Sequence, residues 1–284
     1  MARFTNQAQL SYNGAVVNSN TAVGEIVEVL TVSKTAVTGN YVRGGDVTYV
    51  ISAVNSGSTP LTGVSITDDL GGYTFGSGTL YPLTYVDGSA RVYVNGVLQT
   101  SPPTVVEGPP IAFSGLTVPA SGNLILIYEA RVNRFAPLGA DDSIVNTAAV
   151  TATGITAPAS ASATVTPAAS SDLTITKSVD PVSVTENGTV TYTFMIQNYG
   201  GEATAADAVS VRDVFNPILS DITVSLNDAA LTSPDGYTYD QATGTFVTVP
   251  GIITVPAASF VQDTATGAWT VTPGVSRLTV TGTL

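Results

Sequence analysis

The segment Leu30-Thr-Val-Ser-Lys34 occurs a second time in the chain, as Leu173-Thr-Ile-Thr-Lys177. The similarity continues downstream of both copies at a constant spacing, so that Gly45, Tyr49 and Asn55 match Gly188, Tyr192 and Asn198. After an insertion of two residues, Val64-Ser-Ile-Thr-Asp68 matches Val209-Ser-Val-Arg-Asp213. A repeat of this length predicts two whole domains of one fold rather than the short units of a solenoid.

Both copies have the composition of β-strands. Residues 46–54 and 189–198 are rich in β-branched and aromatic side chains and end in glycine turns. Two segments of the second copy have the composition of hairpin turns, namely Asp240-Gln-Ala-Thr-Gly244 and Asp263-Thr-Ala-Thr-Gly267. Because many short strands between Gly and Pro turns are typical of immunoglobulin-like sandwiches, we predict an all-β fold with two tandem β-sandwich domains.

The composition excludes several classes of function. Nine basic residues stand against 21 acidic ones, for a net charge of −12, so no basic stripe is available to bind nucleic acid. The chain has no Cys and no His, which removes the usual zinc ligands, the thiol nucleophile and the imidazole base. We therefore predict neither an enzyme nor a metal or cofactor site. The longest strongly apolar run, 124–128, is too short for membrane insertion.

The second copy lacks the last part of the first. Leu124-Ile-Leu-Ile resembles Leu278-Thr-Val-Thr, which aligns Leu284 with Ala130 and leaves the second copy without a counterpart of residues 141–165. Residues ahead of the first copy resemble that missing part, again at constant spacing: Asn6, Ala8, Leu10 and Gly14 fall on Asn146, Ala148, Val150 and Gly154. The N-terminal segment therefore has the pattern of a donor strand for an incomplete domain.

These observations predict three parts: an N-terminal donor-strand arm at 1–27, a complete sandwich at 28–168 and a sandwich at 169–284 that lacks its final hairpin. The arm would place one face of its strand in the gap, with Phe4, Asn6, Ala8, Leu10 and Tyr12 as contacts. It could fold back onto its own chain, or complete a neighbouring molecule by strand addition and give a head-to-tail homopolymer. The alternative to both is a frayed tail beside a domain with fewer strands.

The only two lysines of the chain occupy equivalent positions. Because side chains alternate along a strand, Lys34 points inward with Leu30 and Val32, and Lys177 does the same in the second copy. The same parity turns a carboxylate and an amide inward in each domain: Asp68 and Asn146 in the first, Asp213 and the arm residue Asn6 in the second. Both lysines are therefore predicted to be buried, and a buried Lys–Asp ion pair hydrogen-bonded by Asn is one interpretation.

The motifs resemble a known family of surface domains. A first-strand Lys, Gly-Asp-Val-Thr-Tyr at 45–49, Asn-Ser-Gly at 55–57, Ile-Thr-Asp at 66–68 and Val-Asn-Thr-Ala at 145–148 are similar to the conserved-repeat surface domain of bacteria. They also resemble the isopeptide-forming backbone (pilin) domains of Gram-positive fimbriae. The resemblance implies an amide bond between the first-strand Lys and the last-strand Asn, assisted by the buried acid. The implied sets are Lys34, Asn146 and Asp68, and Lys177, Asn6 and Asp213.

The resulting hypothesis is a structural subunit of an extracellular bacterial fibre, located on the cell or spore surface, whose partner is itself. A second hypothesis is an adhesin or carbohydrate-binding module with an unidentified glycan or host ligand. Its candidate platform is a set of aromatic residues in the first domain: Tyr73, Phe75, Tyr81, Tyr85 and Tyr93. A surface-layer lattice protein is a third alternative.

Overall fold

A computed structural model describes residues 2–26 and 28–284, and nearly all of its regular structure is β-strand. The described residues contain one short 3₁₀ helix, Ala205–Asp207, and no α-helix. None of the described helical structure has the length and hydropathy needed to cross a membrane. The prediction of an all-β fold is confirmed.

The N-terminal arm is a β-hairpin that pairs with itself. Its strands are β1 (Ala2–Asn6), β2 (Gln9–Tyr12), β3 (Ala15–Asn18) and β4 (Ala22–Ile26). β1 pairs with β4 and β2 with β3, both antiparallel. At the tip, Asn13 and Gly14 have φ angles of 47° and 76°, the left-handed conformation that tight hairpin turns need. The side chains of residues 4–23 are all exposed.

The chain divides into two compact units. The first contains the arm, continues to Asn133 and includes Ile144–Val165, and the second consists of Arg134–Ser143 and Thr166–Leu284. The strands that follow the arm in the first part of the chain are β5 (Leu30–Ala36), β6 (Asn40–Tyr41), β7 (Asp46–Asn55), β8 (Leu61–Asp68), β9 (Tyr73–Phe75), β10 (Gly78–Leu80), β11 (Leu83–Tyr85), β12 (Arg91–Val94), β13 (Val97–Leu98), β14 (Thr104–Val106), β15 (Ile111–Val118), β16 (Gly122–Val132), β17 (Ile144–Thr151) and β18 (Ala159–Pro167).

Two sheets make the first unit a β-sandwich. One has the strand order β13-β12-β16-β7-β5, with β11 also paired to β16, and the other has the order β14-β15-β8-β17-β18-β6. Buried and more exposed side chains alternate along β7, where Val47, Tyr49 and Ile51 are buried. The Phe113 ring of one sheet and the Tyr128 ring of the other have centroids 5.3 Å apart, so the core lies between the sheets.

The hairpin of β17 and β18, called the closing hairpin below, completes the second of these sheets. β17 lies between β8 and β18, with Ala148 opposite Asp68 and Val150 opposite Ile66. Its inward side chains are fully buried because the other sheet covers them, and they include Ile144. Removal of the closing hairpin would leave β8 at an edge and uncover the core beneath it.

The second unit repeats this plan with fewer strands, namely β19 (Leu173–Asp180), β20 (Thr189–Asn198), β21 (Arg212–Val214), β22 (Ser220–Leu226), β23 (Ala229–Leu231), β24 (Tyr237–Asp240), β25 (Thr245–Thr248), β26 (Ser259–Gln262), β27 (Trp269–Thr272) and β28 (Gly274–Thr283). One sheet has the order β19-β20-β28-β22-β23 and a smaller one the order β21-β25-β24. Both predicted hairpin turns are confirmed, since β24 pairs with β25 and β26 with β27.

Strand pairing corrects the alignment of the two copies near the C-terminus. Tyr128 on β16 lies opposite Tyr49 on β7, and Val280 on β28 lies opposite Tyr192 on β20. Because Tyr49 and Tyr192 are equivalent, Val280 is the counterpart of Tyr128. Leu284 then aligns with Val132, and the expected match to Ala130 was wrong by two residues. Apolar alternation has a period of two, so an even shift preserves it and the sequence pattern could not detect the error.

Candidate functional site

A buried ion pair occupies the centre of the first unit. Lys34 on β5 and Asp68 at the end of β8 come from opposite sheets, and Lys34 Nζ lies 2.6 Å from Asp68 Oδ2. Neither side chain is exposed to solvent. In such surroundings the attraction between the charges is strong, but each charge needs its partner because no water replaces it.

Tyr128 connects this ion pair to Asn146. The Tyr128 hydroxyl donates to Asp68 Oδ2 at 2.6 Å and accepts from Asn146 Nδ2 at 3.1 Å. Asp68 Oδ1 accepts the backbone N–H of Leu70 at 3.0 Å. Sequence reasoning identified Lys34, Asp68 and Asn146 but not Tyr128. The available signal was its position on the otherwise apolar inward face of β16, where a phenol oxygen needs a polar partner.

Two buried oxygens at this cluster, Asn146 Oδ1 and the hydroxyl of the neighbouring Tyr49, have no hydrogen-bond partner among the described residues. Asn146 Oδ1 is buried and accepts no hydrogen bond from the residues that the structure describes. A buried acceptor left in this state is destabilising by about 1–3 kcal/mol. A chemical reaction at the Asn146 amide would account for an unpaired buried oxygen at this position.

Burial shifts the proton affinities of the cluster. Desolvation lowers the pKa of Lys34, and the negative charges of Asp68 and Asp69 oppose that effect only partly. Burial also raises the pKa of the Tyr128 hydroxyl well above its ordinary value, and raises the pKa of Tyr49 beside it. The lysine is thereby moved towards the neutral amine, a nucleophile, while both phenols keep their protons.

Asp69 fixes the register of the closing hairpin at this cluster. Its Oδ1 accepts the backbone N–H of Thr147 at 2.8 Å and that of Gly71 at 2.9 Å. Its own N–H donates to the carbonyl oxygen of Thr147 at 3.0 Å. Because Thr147 adjoins Asn146 in the chain, these bonds position the amide. The sequence pattern predicts Asp69 to face away from the interior, as a solvated turn carboxylate, and does not indicate these hydrogen bonds.

The second unit holds the equivalent ion pair, but both of its side chains are partly exposed to solvent. Lys177 Nζ is paired with Asp213 Oδ2, and their side chains are 39% and 20% exposed. The prediction that Lys177 is buried is therefore wrong for the single chain, because residues 166–284 include no counterpart of the closing hairpin. Three rings surround its ammonium, with centroids 4.5 to 5.4 Å away: Tyr192, Phe194 and Phe215.

The uncovered part of the second unit coincides with the place of the closing hairpin in the first. Ile175 is 53% exposed, whereas its counterpart Val32 is half-buried. Leu173 is half-buried where Leu30 is buried. The smaller sheet has the order β21-β25-β24, so β21 is an edge strand, whereas its counterpart β8 lies between β15 and β17.

The arm carries the complementary exposure. Phe4, Leu10 and Tyr12 are 57%, 63% and 56% exposed, although large apolar side chains on an inward strand face are normally buried. Asn6 and Ala8, on the same face, are exposed as well. The contacts expected of these five residues are with another copy of the chain and stay predictions.

One member of the alternative aromatic platform packs against the core. The half-buried Tyr85 ring contacts the rings of Phe113 and Tyr128, with centroids 5.8 and 6.3 Å away. Within residues 2–26 and 28–284, no group of three or more His, Cys, Asp or Glu side chains is arranged to hold a metal ion.

Comparison with known proteins gives structural similarities at low sequence identity. No protein-family profile and no curated protein sequence matches the chain. The chain is similar to the major pilin subunit of Bacillus cereus, with a TM-score of 0.37 and 12% identity over 96% of this chain and 73% of the pilin. It is also similar to the full-length major pilin of Corynebacterium diphtheriae, with a TM-score of 0.36 and 13% identity over 86% and 59% of the two chains.

A third similarity is to the collagen-binding domain of a Staphylococcus aureus adhesin, with a TM-score of 0.32 and 12% identity over 50% of this chain and 99% of that domain. Two of these similar structures are major pilins and one is an adhesin domain.

Proposed function

We propose that the protein is the structural subunit of an extracellular bacterial fibre, on the surface of the cell or spore. The arm hairpin of one copy pairs with β21 in the second unit of the next copy and covers β19. It thereby takes the place that the closing hairpin has in the first unit. Each copy donates one arm and accepts one, so the subunits assemble head to tail.

One observation carries this proposal: the exposed strands β1 and β2 of the arm and the uncovered part of the second unit align in sequence with two sides of a buried contact in the first unit. Phe4 and Leu10 are the counterparts of Ile144 and Val150, which are buried. Ile175 and Lys177 are the counterparts of Val32 and Lys34, over which the closing hairpin lies. These correspondences support an interface between copies that resembles the contact of the closing hairpin within the first unit.

The expected free energy favours association. Burial of Phe4, Leu10 and Tyr12 contributes roughly 1.5–3 kcal/mol for each side chain. Pairing of the arm with the edge of β21 adds about 0.5–1.5 kcal/mol for each hydrogen bond. The arm is already a hairpin with its own ladder of bonds, so less backbone entropy is lost when it docks.

The symmetry of the contact favours a fibre. The donated surface and the accepting surface are different parts of the chain, so the interface is heterologous. Such an interface repeats indefinitely unless the rotation between copies closes a ring. A free β-edge beside an open core face is otherwise a site of uncontrolled aggregation, and a matched donor gives it a defined partner.

The same proposal includes covalent cross-links. In each sandwich the amine of the first-strand lysine attacks the side-chain amide of an asparagine, and ammonia leaves. The Lys34–Asn146 bond is within one chain, with Asp68 as the assisting acid. The Lys177–Asn6 bond joins two chains, with Asp213 in that role. Burial of Lys177 by the docked arm would reproduce the surroundings of Lys34.

Deletion of residues 1–27 tests the assembly mechanism. We expect the shortened chain to fold and remain monomeric, and negative-stain electron micrographs to show fibres only for the full chain. A matched pair of substitutions gives a finer test, because Leu10 lies on the donor face and Val16, opposite Ser11, lies on the other face. Leu10→Asp should abolish fibres and Val16→Asp should not. Fibres that persist after the deletion would refute arm donation.

A further inference from the structure

The clusters around Lys34 and Lys177, called the first and second centre below, differ in a hydroxyl that contacts the reacting groups in the first unit only. In the first unit the Tyr128 hydroxyl stands between Asp68 and Asn146, at 2.6 Å from a carboxylate oxygen and 3.1 Å from the amide nitrogen. In the second unit the equivalent residue is Val280, which has no polar group. Two hydrogen bonds of the phenol therefore link the carboxylate of Asp68 to the amide nitrogen of Asn146.

We propose that Tyr128 is a catalytic residue for the Lys34–Asn146 bond and relays a proton from Asp68 to the departing amide nitrogen. This inference rests on the amide bond included in the proposed function. Its support is geometric: the phenol is fully buried, donates to the oxygen that also holds Lys34, and accepts from the nitrogen that must leave.

The proton transfers balance without any added reactant. Lys34 first gives one proton to Asp68 Oδ2, and the neutral Nζ attacks Cγ of Asn146. Once Asp68 carries this proton and Nδ2 belongs to the tetrahedral intermediate, both hydrogen bonds of the phenol reverse direction, so that Asp68 passes its proton to the Tyr128 oxygen while Tyr128 gives its own proton to Nδ2. The Cγ–Nδ2 bond breaks, ammonia leaves, and Asp68 takes a second proton from Nζ. The products are a secondary amide, a protonated Asp68 and an unchanged Tyr128.

The orientation of the amide agrees with this sequence of steps. Nδ2 is the Asn146 atom that contacts the phenol, so the leaving group faces the proton donor. Oδ1, on which negative charge develops during the attack, accepts no hydrogen bond among the described residues, and the buried hydroxyl of Tyr49, which interacts with the Asn146 side chain, is unpaired as well. The phenol keeps its proton until the transfer, because burial holds the pKa of Tyr128 well above its ordinary value.

The second centre lacks this relay. The position of Tyr128 is taken there by Val280, which lies opposite Tyr192 as Tyr128 lies opposite Tyr49. A proton for the amide of Asn6 must then come directly from Asp213 or from water. We therefore infer that the cross-link within a chain forms faster than the cross-link between chains, so that docked arms remain exchangeable for a time.

The test follows bond formation in the full chain during cell-free synthesis. Intact mass spectrometry reports the loss of one ammonia, and peptide mapping identifies the Lys34–Asn146 link. The variant Tyr128→Phe removes the hydroxyl and keeps the ring. Tyr85→Phe is the control, because Tyr85 packs against Tyr128 but directs its hydroxyl to the backbone N–H of Ala90. Hydrogen exchange of β17 shows that each variant is folded.

We expect Tyr128→Phe to slow the reaction by a factor of about 100 or more, as removal of a general acid typically does, and Tyr85→Phe to leave the rate unchanged. If Tyr128→Phe does not fold, Tyr128→Val provides the same readout, since the second unit accepts valine at this position. A folded variant that forms the bond at the wild-type rate overturns the relay.

Absence of the bond from the wild-type chain also overturns the relay, whereas electron microscopy of the same samples tests the fibre separately. Neither Tyr128 variant alters the arm or the second unit, so we expect fibres from both. Bond formation without fibres would refute the assembly mechanism and leave the relay standing.

Discussion

Lys34 and Lys177 occupy the same strand position in two copies of one fold, yet only the first is enclosed by its own chain. Asp68 and Asp213 pair with them in the same way. The difference in exposure arises because the closing hairpin lies over the first lysine, whereas the residues described in the second unit include no such hairpin. Experiments on the buried pair in the first unit can therefore be compared with the same experiments on the exposed pair in the second unit.

The exposure of the lysines predicts their chemical reactivity. In dilute, monomeric protein we expect an amine-reactive reagent to modify Lys177 and to spare Lys34, because only the Lys177 side chain is accessible. In fibres the arm should protect Lys177 as well. Peptide mapping by mass spectrometry measures both, since the chain has no other lysine. Equal modification of Lys177 in monomer and fibre would show that assembly does not cover it.

Removal of each aspartate should have unequal effects on stability. Asp68→Ala removes the acid that assists the Lys34–Asn146 bond, and it leaves the buried Lys34 amine without its counter-charge and the Tyr128 hydroxyl without its acceptor, so we expect a loss of about 3–5 kcal/mol. Asp213→Ala affects a pair in contact with solvent, and monomer stability should change by less than about 1 kcal/mol.

Two probes report separately on the stability of the two units. The single tryptophan, Trp269, lies in the second unit, so its fluorescence in urea reports on that unit. Amide hydrogen exchange of β7 and β16 reports on the first. A large loss of stability in Asp213→Ala monomers would contradict the structure of the second centre.

Strand parity and the repeat were enough to predict the sandwiches and the inward direction of Lys34, Asp68 and Asn146. These features depend on alternation within one strand, which the sequence displays directly. The hairpin turns at Gly244 and Gly267 were equally accessible, because turn chemistry is local.

Features that depend on pairing between strands were missed. Tyr128 joins the cluster only because β16 pairs with β7 in a register that places it opposite Tyr49, and an even shift leaves the apolar pattern intact. The hydrogen bonds of Asp69 to Thr147 depend likewise on where β17 meets β8. The exposure of Lys177 could not be predicted from parity, which gives the direction of a side chain but not what covers it.

The buried phenols predict an alkaline limit to stability. Folded Tyr49 and Tyr128 have pKa values above the ordinary value of about 10, so above that pH the unfolded chain releases protons that the folded chain retains. Stability therefore falls as pH rises, by up to about 1.4 kcal/mol per pH unit for each tyrosine. Lys34 has a lowered pKa and acts in the opposite direction, but only below its ordinary value of about 10.4.

Urea unfolding of the first unit at several pH values above the ordinary lysine pKa of about 10.4, followed by hydrogen exchange of β7, measures this slope. Tyr128→Phe should reduce the slope, and Tyr12→Phe, which alters an exposed tyrosine of the arm, should not. An unchanged slope in Tyr128→Phe would contradict a phenol that stays protonated in the folded state.

Engineered disulfides distinguish donation between copies from folding back within one chain. The closing hairpin pairs Ala149 with Thr67, and the equivalent pair of arm and second unit is Gln9 with Arg212. Because the natural chain has no cysteine, Gln9→Cys with Arg212→Cys should give a ladder of disulfide-linked oligomers on a non-reducing gel. Ser11→Cys with Arg212→Cys is displaced by two residues along the strand and should give none. Donation between copies makes the yield rise with protein concentration, whereas an arm folded back onto its own chain would give a cross-linked monomer at every concentration.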